Sequence, residues 1–318
     1  MKNIKKNFIT LLFVSFNSVW SNAQHKTEFE FVETVPAALR KTMQNNVGVV
    51  FSSIHESYSS GKASLSISRN HATPEAIQQL QALWSTNHFF CTETEIIRRV
   101  VRTVKGLQVR NIPVFFKQGG TDEDKYQDIV IDFATDGKIS DVYIAIPKHQ
   151  INQILETQDK VTDLRRRQLI LGFVENFLTA YYRKDIAYLE IIFSNDVLDR
   201  ETLSSDKGIS PTPPGMSQEY LIRTKNEYMD NLKKAFVQNQ FINIKFSEIE
   251  VIQHEGNNNF YGVTLRQDWY SSSYRDSGWF FMMLDFRDEN NPLIWVRTWQ
   301  PITVPRNQVF RLDCFPIK

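Results

Sequence analysis

The feature that most constrains the fold is a pair of aromatic-rich helical patterns that meet at one short corner. Residues 174–194 read VENFLTAYYRKDIAYLEIIFS. Apolar residues before the corner recur at every third or fourth position, which predicts a helix with a broad apolar face. Asp185 can cap a second helix after it. The aromatic rings indicate that the pair covers a curved surface, because aliphatic side chains alone would leave such a tapering space partly open.

A third helix and four strands follow this pair in the sequence. Thr224 and Glu227 have the spacing of a capping box, in which each side chain satisfies a free backbone N–H of the first helical turn. The four strand patterns read FINIKFSEIEVIQ, FYGVTLRQDWY, GWFFMMLDF and PLIWVRTW. In the first, the apolar parity switches near Ser247 and Glu248, which predicts a bulge that bends the strand. The order predicts an α+β fold in which helices pack on a strongly curved antiparallel sheet.

The second half resembles the NTF2-like superfamily, the α+β cone fold shared with ketosteroid isomerase, scytalone dehydratase and the SnoaL-type cyclases. The likeness is carried by FVENFLTAYYRKDIAYLEIIFSND, TKNEYMDNLKKAF and IWVRTWQP, and it covers about residues 160–305. The second half also looks like a class of exported bacterial proteins that carry such a domain at the C-terminus. The resemblance implies an architecture, and for that class it implies no established activity.

The first half also combines helical patterns with strands. A helical pattern extends from Phe31 to Tyr58, a second helix starts at Thr73, and strands follow from residue 89 onward. Residues 131–147 and 284–301 align with one gap, which favours a reduced copy of the same cone unit. Two unrelated hairpins that follow helices would produce the same pattern. The domains predicted on this basis are residues 24–147 and 161–318, with a connector at 148–160 and a C-terminal tail in the second domain.

The N-terminus has the pattern of a secretory signal peptide over residues 1–23. Lysines lie at positions 2–6, a short apolar stretch at 8–14 and small residues at 21–23. The apolar stretch is shorter than the 20 or so residues that span a bilayer, although an N-terminal anchor is the alternative. No Cys follows the cleavage point, so a lipid anchor is not indicated. The sequence therefore predicts a periplasmic or secreted protein that begins at Gln24.

Composition excludes several classes of partner and chemistry. The formal charge of the full chain is +1, and removal of the three lysines in residues 1–23 makes it −2, which gives no electrostatic reason to expect nucleic acid or an anionic membrane. The six histidines are scattered singly, and HExxH, CxxC, GxSxG and phosphate-loop patterns do not occur. We therefore expect neither a metal nor a cofactor. A cone-type isomerase or dehydratase is not excluded, because such enzymes have no compact motif.

The candidate pocket is predicted from the resemblance together with residue chemistry, since enzymes of this fold commonly use an Asp or His base and a Tyr or Asp donor inside the cone. Six residues are the candidates for ligand binding: Tyr181, Tyr261, Asp285, Trp295, Arg297 and Trp299. An apolar wall could raise the pKa of Asp285 towards that of a general base. The alternative is a structural carboxylate at the strand end that meets water or pairs with Arg297.

Two further expectations concern the aromatic strand and a long loop. Trp295, Arg297 and Trp299 alternate, so we expect them on one face of a strand. There they either surround the cone mouth or pack against a neighbouring domain or a second subunit. Residues 202–219 are rich in Ser, Pro and Gly, and we expect them to lie over one rim as a lid.

Cys91 and Cys314 are the only cysteines. Export would allow them to form a disulfide, and the alternative is that a buried Cys acts as a small hydrophobic side chain.

The function predicted from the sequence is a non-catalytic binding or protein-interaction module. It would hold a small amphipathic ligand or a protein partner, with a homodimer through the sheet face as one option. The alternative is a small-molecule isomerase, dehydratase or cyclase of the ketosteroid-isomerase-like type that uses the cone pocket. A purely structural envelope component would share every sequence feature of the binding module.

Overall fold

Two six-stranded sheets and six helices make up the described part of the structure, a computed structural model. It describes residues 27–32, 35–103, 105–119, 121–156, 161, 163–202 and 220–315. The predicted signal peptide and residues 203–219 of the predicted lid lie outside these ranges. The predicted α+β class is confirmed, and neither sheet closes into a barrel.

The first sheet belongs to the N-terminal half. The elements of this half are β1 (Glu28–Val32), α1 (Ala37–Ser59), α2 (Pro74–Thr86), β2 (Phe89–Cys91), β3 (Glu95–Thr103), β4 (Gly106–Phe116), β5 (Tyr126–Phe133), β6 (Ile139–Ile144) and α3 (Lys148–Glu156). The strand order is β1-β3-β4-β5-β6, and β2 also pairs with β4. The predicted helical start at Phe31 is wrong, because β1 alternates exposed Glu with buried Phe and pairs with β3 in parallel.

The second sheet belongs to the C-terminal half and has the order β8-β7-β12-β11-β10-β9. The elements of this half are α4 (Leu164–Arg183), α5 (Ile186–Ile192), β7 (Phe193–Thr202), β8 (Tyr220–Arg223), α6 (Lys225–Gln238), β9 (Ile242–Gln253), β10 (Phe260–Ser271), β11 (Arg275–Asp285) and β12 (Leu293–Pro301). The predicted meander of β9 to β12 is antiparallel, whereas β7 joins β12 in parallel.

Local sequence signals account for the ends of the helices in this half. Lys184 adopts the left-handed conformation (φ 53°) and ends α4, and the Asp185 carboxylate then accepts from the Tyr188 N–H and caps α5. The capping box of α6 forms as predicted, with Thr224 and Glu227 accepting from each other's backbone N–H. The Asp185 cap therefore begins α5 directly after α4, and the capping box begins α6 directly after β8.

Two bulges bend the second sheet. The register of β9 against β10 shifts at the predicted position, where Glu248 has φ 51°. The second lies in β12, where Ile294 pairs with Leu284 and Val296 pairs with Met283, so that Trp295 is the extra residue. A bulge bends its strand and increases the local twist, so both help to curve the sheet around α4.

Helix α4 lies between the two sheets and covers the free edge of β6. The N–H groups of Ile144 and Ile146 donate to Thr179 Oγ1 at 2.9 Å and to Glu175 Oε1 at 3.0 Å. Arg183 donates to the Val142 carbonyl. Four residues along a helix advance about 6.0 Å, and two residues along a strand advance about 6.6 Å. Side chains at every fourth position of α4 therefore match backbone groups at every second position along β6. We call this set of contacts the edge ladder.

One continuous hydrophobic core joins the halves through α4. It includes Phe116 of β4, Tyr182 of α4 and Phe246 of β9. The Tyr182 ring lies 5.8 Å from Phe116, and its hydroxyl donates to the Ile244 carbonyl at 3.2 Å. Helix α3, which occupies the predicted connector, packs against β9 and α4. The domain boundaries at 147 and 161 stay a prediction.

The two segments aligned in the sequence form equivalent hairpins. Residues 131–147 cover the end of β5 and all of β6, and residues 284–301 cover the end of β11 and all of β12. Each is the last hairpin of its antiparallel meander, although β6 is a sheet edge and β12 also pairs with β7. Duplication of one unit stays a prediction.

The C-terminal segment, residues 302–315, packs on the outer face of the second sheet, away from α4. The Phe281 ring stacks on Phe315 with centroids 5.4 Å apart, and Trp279 Nε1 donates to the Val304 carbonyl at 3.1 Å. Leu312 would touch a Cβ added at Gly262, so the segment lies flush against β10. The chain therefore covers part of the face at which a homodimer is expected.

Within the described ranges, no helix combines the length and the apolar composition that crossing a membrane requires.

The edge ladder yields a stability prediction. Thr179→Val keeps the shape and the branching at Cβ but leaves the buried Ile144 N–H without an acceptor, so we expect unfolding to become easier by about 1–3 kcal/mol in urea titrations. Thr179→Ser keeps the hydroxyl and is the matched control, with an expected loss of about 1 kcal/mol for one methyl group. Equal losses of unfolding free energy in the two variants would contradict a stabilising role for the edge ladder.

Candidate functional site

The cup formed by α4, α6 and the inner face of β9 to β12 is the region predicted to hold a ligand. Aromatic rings occupy its described interior. The Phe177 ring lies 6.2 Å from Phe246 and 5.6 Å from Phe280, and the latter two are 6.3 Å apart. All three side chains are buried. Phe177 of α4 therefore packs at the centre of the cup together with one ring from β9 and one from β11.

Polar groups meet at one side of these rings. The hydroxyl oxygens of Tyr181 and Tyr228 are 2.7 Å apart and share a hydrogen bond. The Arg297 guanidinium lies over the Tyr228 ring at 4.7 Å and over Phe280 at 5.1 Å. Both Tyr181 and Arg297 thus contact Tyr228 of α6, which was not among the candidates predicted from the sequence. Arg297 is 6% exposed.

Trp299 lies on the same inner face, because it pairs with the inward-facing Phe280 across β11 and β12. Its indole passes over Gly278, where an added Cβ would come within 2.6 Å of the Trp299 ring. Only a residue without a side chain fits beneath this ring. Gly278 therefore positions Trp299, although the sequence pattern gave no reason to select it.

The prediction that Trp295, Arg297 and Trp299 share one face is wrong. The bulge in β12 turns Trp295 to the outer face, where its ring lies 5.5 Å from Phe260. Alternation along a strand predicts a common face only where the pairing register is unbroken.

Asp285 also lies on the outer face, at the end of β11. Its carboxylate accepts from Arg287 Nη2 at 2.6 Å and Nε at 2.8 Å, and from the Arg287 N–H at 2.9 Å. The Arg287 guanidinium in turn stacks on Trp295 at 4.9 Å. The expected pairing of Asp285 with Arg297 is wrong, because Arg297 pairs with Met282 on the opposite face. Asp285 is a structural carboxylate that does not face into the cup.

Tyr261 lies on the inner face but at the other end of α4. Its ring packs against Phe286 and under the Arg166 guanidinium, and Gln253 donates to its hydroxyl at 3.1 Å. Arg166 and Tyr181 are separated by roughly 22 Å along the helix at 1.5 Å per residue. Tyr261 is therefore not part of the Tyr181–Tyr228–Arg297 group.

A separate groove lies between the two halves, along a third side of α4. Its volume is about 310 Å³. Leu169, Phe173 and Ala180 of α4 are among its apolar lining residues. One wall is formed by α5 and residues 289–293, and the other by side chains of α2, β6 and the turn between β3 and β4. The corner after α4 that stood out in the sequence supplies Arg183 and Asp185 to one end of this groove.

Beside the groove, a chain of polar side chains runs across the first sheet. Arg110 donates to the fully buried Glu175 at 2.5 Å and to Gln108 Oε1 at 2.9 Å. Gln108 Nε2 donates to Asp132 and to the Tyr143 hydroxyl, both at 2.7 Å. Burial raises the pKa of Glu175, and the Arg110 guanidinium opposes that rise. The sequence does not reveal these polar side chains as a group, because they are separated by up to 67 positions.

Among these linked polar side chains, Asp132 has a pKa that is raised into a range that can be measured. Burial raises the pKa of Asp132 to about 6, and the carboxylate of Asp141, directly opposite on β6, adds to the rise. The hydrogen bond from Gln108 acts in the opposite direction. The like charge on the paired strand position disfavours ionisation of Asp132.

The two cysteines are unpaired. Cys91 is buried in β2, where burial raises the pKa of its thiol, and Cys314 is exposed in the C-terminal segment. The disulfide is not formed, and Cys91 has the character of a small buried hydrophobic side chain.

No group of three His, Cys, Asp or Glu side chains gathers at metal-binding distance in the ranges that the structure describes.

Comparison with known proteins gives only structural likenesses. No protein-family model and no curated protein matches the chain. An NTF2-like protein from Cytophaga hutchinsonii is 14% identical over 43% of this chain and 98% of its own, with a TM-score of 0.32. An NTF2-like protein of unknown function from Shewanella oneidensis is 12% identical over 42% and 96%, with a TM-score of 0.30.

Bd1075 from Bdellovibrio bacteriovorus is 16% identical over 51% of this chain, with a TM-score of 0.33. This chain spans 46% of the length of Bd1075. The solved neighbours are thus NTF2-like proteins among others, and at these values none of them carries an argument about activity.

The aromatic packing of the cup yields a second prediction. Phe177→Ala removes a ring enclosed by other rings, so we expect a loss of about 3–5 kcal/mol in the free energy of unfolding. Val237→Ala on the exposed face of α6 is the control and should change stability by less than about 0.5 kcal/mol. A loss below about 1.5 kcal/mol for Phe177→Ala would mean that the ring borders an open cavity.

The pKa of Asp132 yields a prediction about pH. Its folded pKa of about 6 lies above the ordinary value of 3.8, so the fold favours the protonated form. The stability that this preference contributes is complete below pH 4 and is lost as pH rises through 6, a change of about 3 kcal/mol. Urea titrations from pH 4 to 7 should show this decline in the wild type but not in Asp132→Asn. The control Asp136→Asn should decline like the wild type, and identical profiles for all three would contradict the account.

Proposed function

We propose that the protein is an exported binding or interaction module whose C-terminal half has an NTF2-like arrangement. In this proposal it holds a small amphipathic ligand or a protein partner and does not transform it. The N-terminal signal pattern supports export, and the family assignment of residues 161–318 rests on the sequence resemblance and the order of elements.

The observation that carries the proposal is the filling of the cup. A cone-type enzyme needs an enclosed cavity with at least two convergent polar groups beside the reacting atom. In the described interior, Phe177, Phe246 and Phe280 occupy the centre. Asp285, the candidate base, is bound by Arg287 on the opposite face of the sheet. This arrangement favours binding over catalysis.

An isomerase, dehydratase or cyclase would have to use other groups. Tyr181, Tyr228 and Arg297 are the polar side chains that meet inside the cup, and the two hydroxyl groups already bond to each other. A guanidinium group has no acceptor atom, so Arg297 could only donate to a reacting group.

The proposal includes a protein partner but assigns no face of the protein to it. The outer face of the second sheet is partly covered by residues 302–315 of the same chain, through Phe315 and Val304. We therefore do not propose this face for a homodimer. A protein partner would use a surface outside it.

Native mass spectrometry of the protein recovered after export tests the proposal. We expect a chain that begins at Gln24 and carries one retained small molecule or partner whose mass stays constant during incubation. A Tyr181→Phe variant should retain the same molecule. Conversion of the retained molecule to a product by the wild type but not by Tyr181→Phe would establish the enzyme instead.

A further inference from the structure

We propose that the groove between the two halves binds a short zwitterionic peptide or an amino acid with an apolar side chain. This inference rests on the proposed binding function and assigns its ligand to a site outside the cup. It follows from three properties of the groove, namely its size, two charges of opposite sign that form no direct ion pair, and an apolar part of its lining.

The size of the groove suits a small ligand. Its volume of about 310 Å³ lies at the lower end of the range of about 300–1,000 Å³ found for ligand pockets. Both halves contribute to it, with Gln79, Lys105 and Asp141 from the first and α4, α5 and residues 289–293 from the second. Sites between packed units are a common position for ligands.

Most charges at the groove are already paired within the protein. Arg183 lies 3.7 Å from the Asp141 carboxylate and also donates to the Val142 carbonyl. Glu289 accepts from Arg165 at 2.9 Å and lies 3.1 Å from Arg166. These groups fix the walls of the groove, because their charges compensate one another.

Two lining charges of opposite sign, Lys105 and Asp185, form no direct ion pair within the described residues. Lys105 acts electrostatically on Asp132, and Asp185 acts on Arg183. The exposed Lys105 ammonium has no ion-pair or hydrogen-bond partner among the described residues. Asp185 uses one carboxylate oxygen, Oδ1, to cap α5 through the Tyr188 N–H and pairs with no cation there. A ligand that carries both a carboxylate and an ammonium group can satisfy the two at once, whereas a ligand with one charge leaves the other without a direct partner.

Part of the groove lining is apolar and includes one amide side chain. Phe173 and Ala180 of α4 and Ile192 of α5 belong to this part, and Asn176 lies between the first two on the same side of the helix. Asn176 Nδ2 donates to the Gly172 carbonyl, which leaves its Oδ1 for a peptide N–H. An apolar side chain and one peptide unit match this pattern.

The experiment measures the affinity of five related probes by isothermal titration calorimetry. They are leucine, the dipeptide Ala-Leu, its N-acetyl form, its C-terminal amide, and the tripeptide Ala-Ala-Leu, which tests length. We expect a zwitterionic probe to bind at least tenfold more tightly than its N-acetylated or amidated form, since a charge-assisted hydrogen bond contributes about that factor. Comparison of leucine with the peptides separates an amino acid from a peptide as the ligand class.

Two substitutions assign each end of the ligand. Asp185→Asn keeps the helix cap, because Asn caps as well as Asp, and should abolish the preference for a free amino group. Lys105→Gln should abolish the preference for a free carboxylate. Asp230→Asn and Lys234→Gln on the exposed side of α6 are the matched controls and should leave both preferences unchanged.

The outcomes separate this inference from the proposed function. Blocked probes that bind as tightly as the parent, or preferences unaltered by Asp185→Asn and Lys105→Gln, would overturn the peptide groove. Failure of every probe to bind at 10 mM or below, roughly the weakest affinity for which such a site would be useful, would overturn it as well. A retained molecule found by mass spectrometry would still support a binding module in each of these cases.

Discussion

The contact of α4 with the free edge of β6 is the constraint on which the rest of the structure depends. An unpaired strand edge presents N–H and C=O groups that must find partners when they are buried. Glu175, Thr179 and Arg183 supply those partners at the helical spacing that matches alternate strand residues. The helix thus takes the place of a strand at the edge of the first sheet, while its aromatic side chains pack against the inner face of the second sheet. Since one helix serves both sheets, the halves share one core.

The position of α4 also determines what each of its sides contacts. The side of the helix that faces the second sheet carries Phe177 and Tyr181, whose rings pack against Phe246 and Trp269. The side that faces the first sheet is used by the edge ladder. The remaining side, with Phe173 and Ala180, lines the groove. The groove therefore lies beside the side of α4 that packs against the second sheet.

Sequence reasoning succeeded where the determining contacts are local. The cap at Asp185 and the bulge at Glu248 involve residues within a few positions of each other, and both formed as predicted. It failed for Trp295, whose face depends on how β12 pairs with two neighbouring strands. Glu175 gave no local signal either, because its partners Arg110 and Ile146 are 65 and 29 residues away. The fold class could be predicted, whereas the groove depends on how the two halves meet.

Amide hydrogen exchange along β6 tests the central claim most directly. The Ala145 N–H bonds to the Asp128 carbonyl inside the sheet, whereas the N–H groups of Ile144 and Ile146 point to the free edge. If α4 replaces a strand there, all three amides exchange slowly and to a similar extent, because only opening of the shared core releases them. Exchange of Ile144 and Ile146 orders of magnitude faster than that of Ala145 would contradict the account.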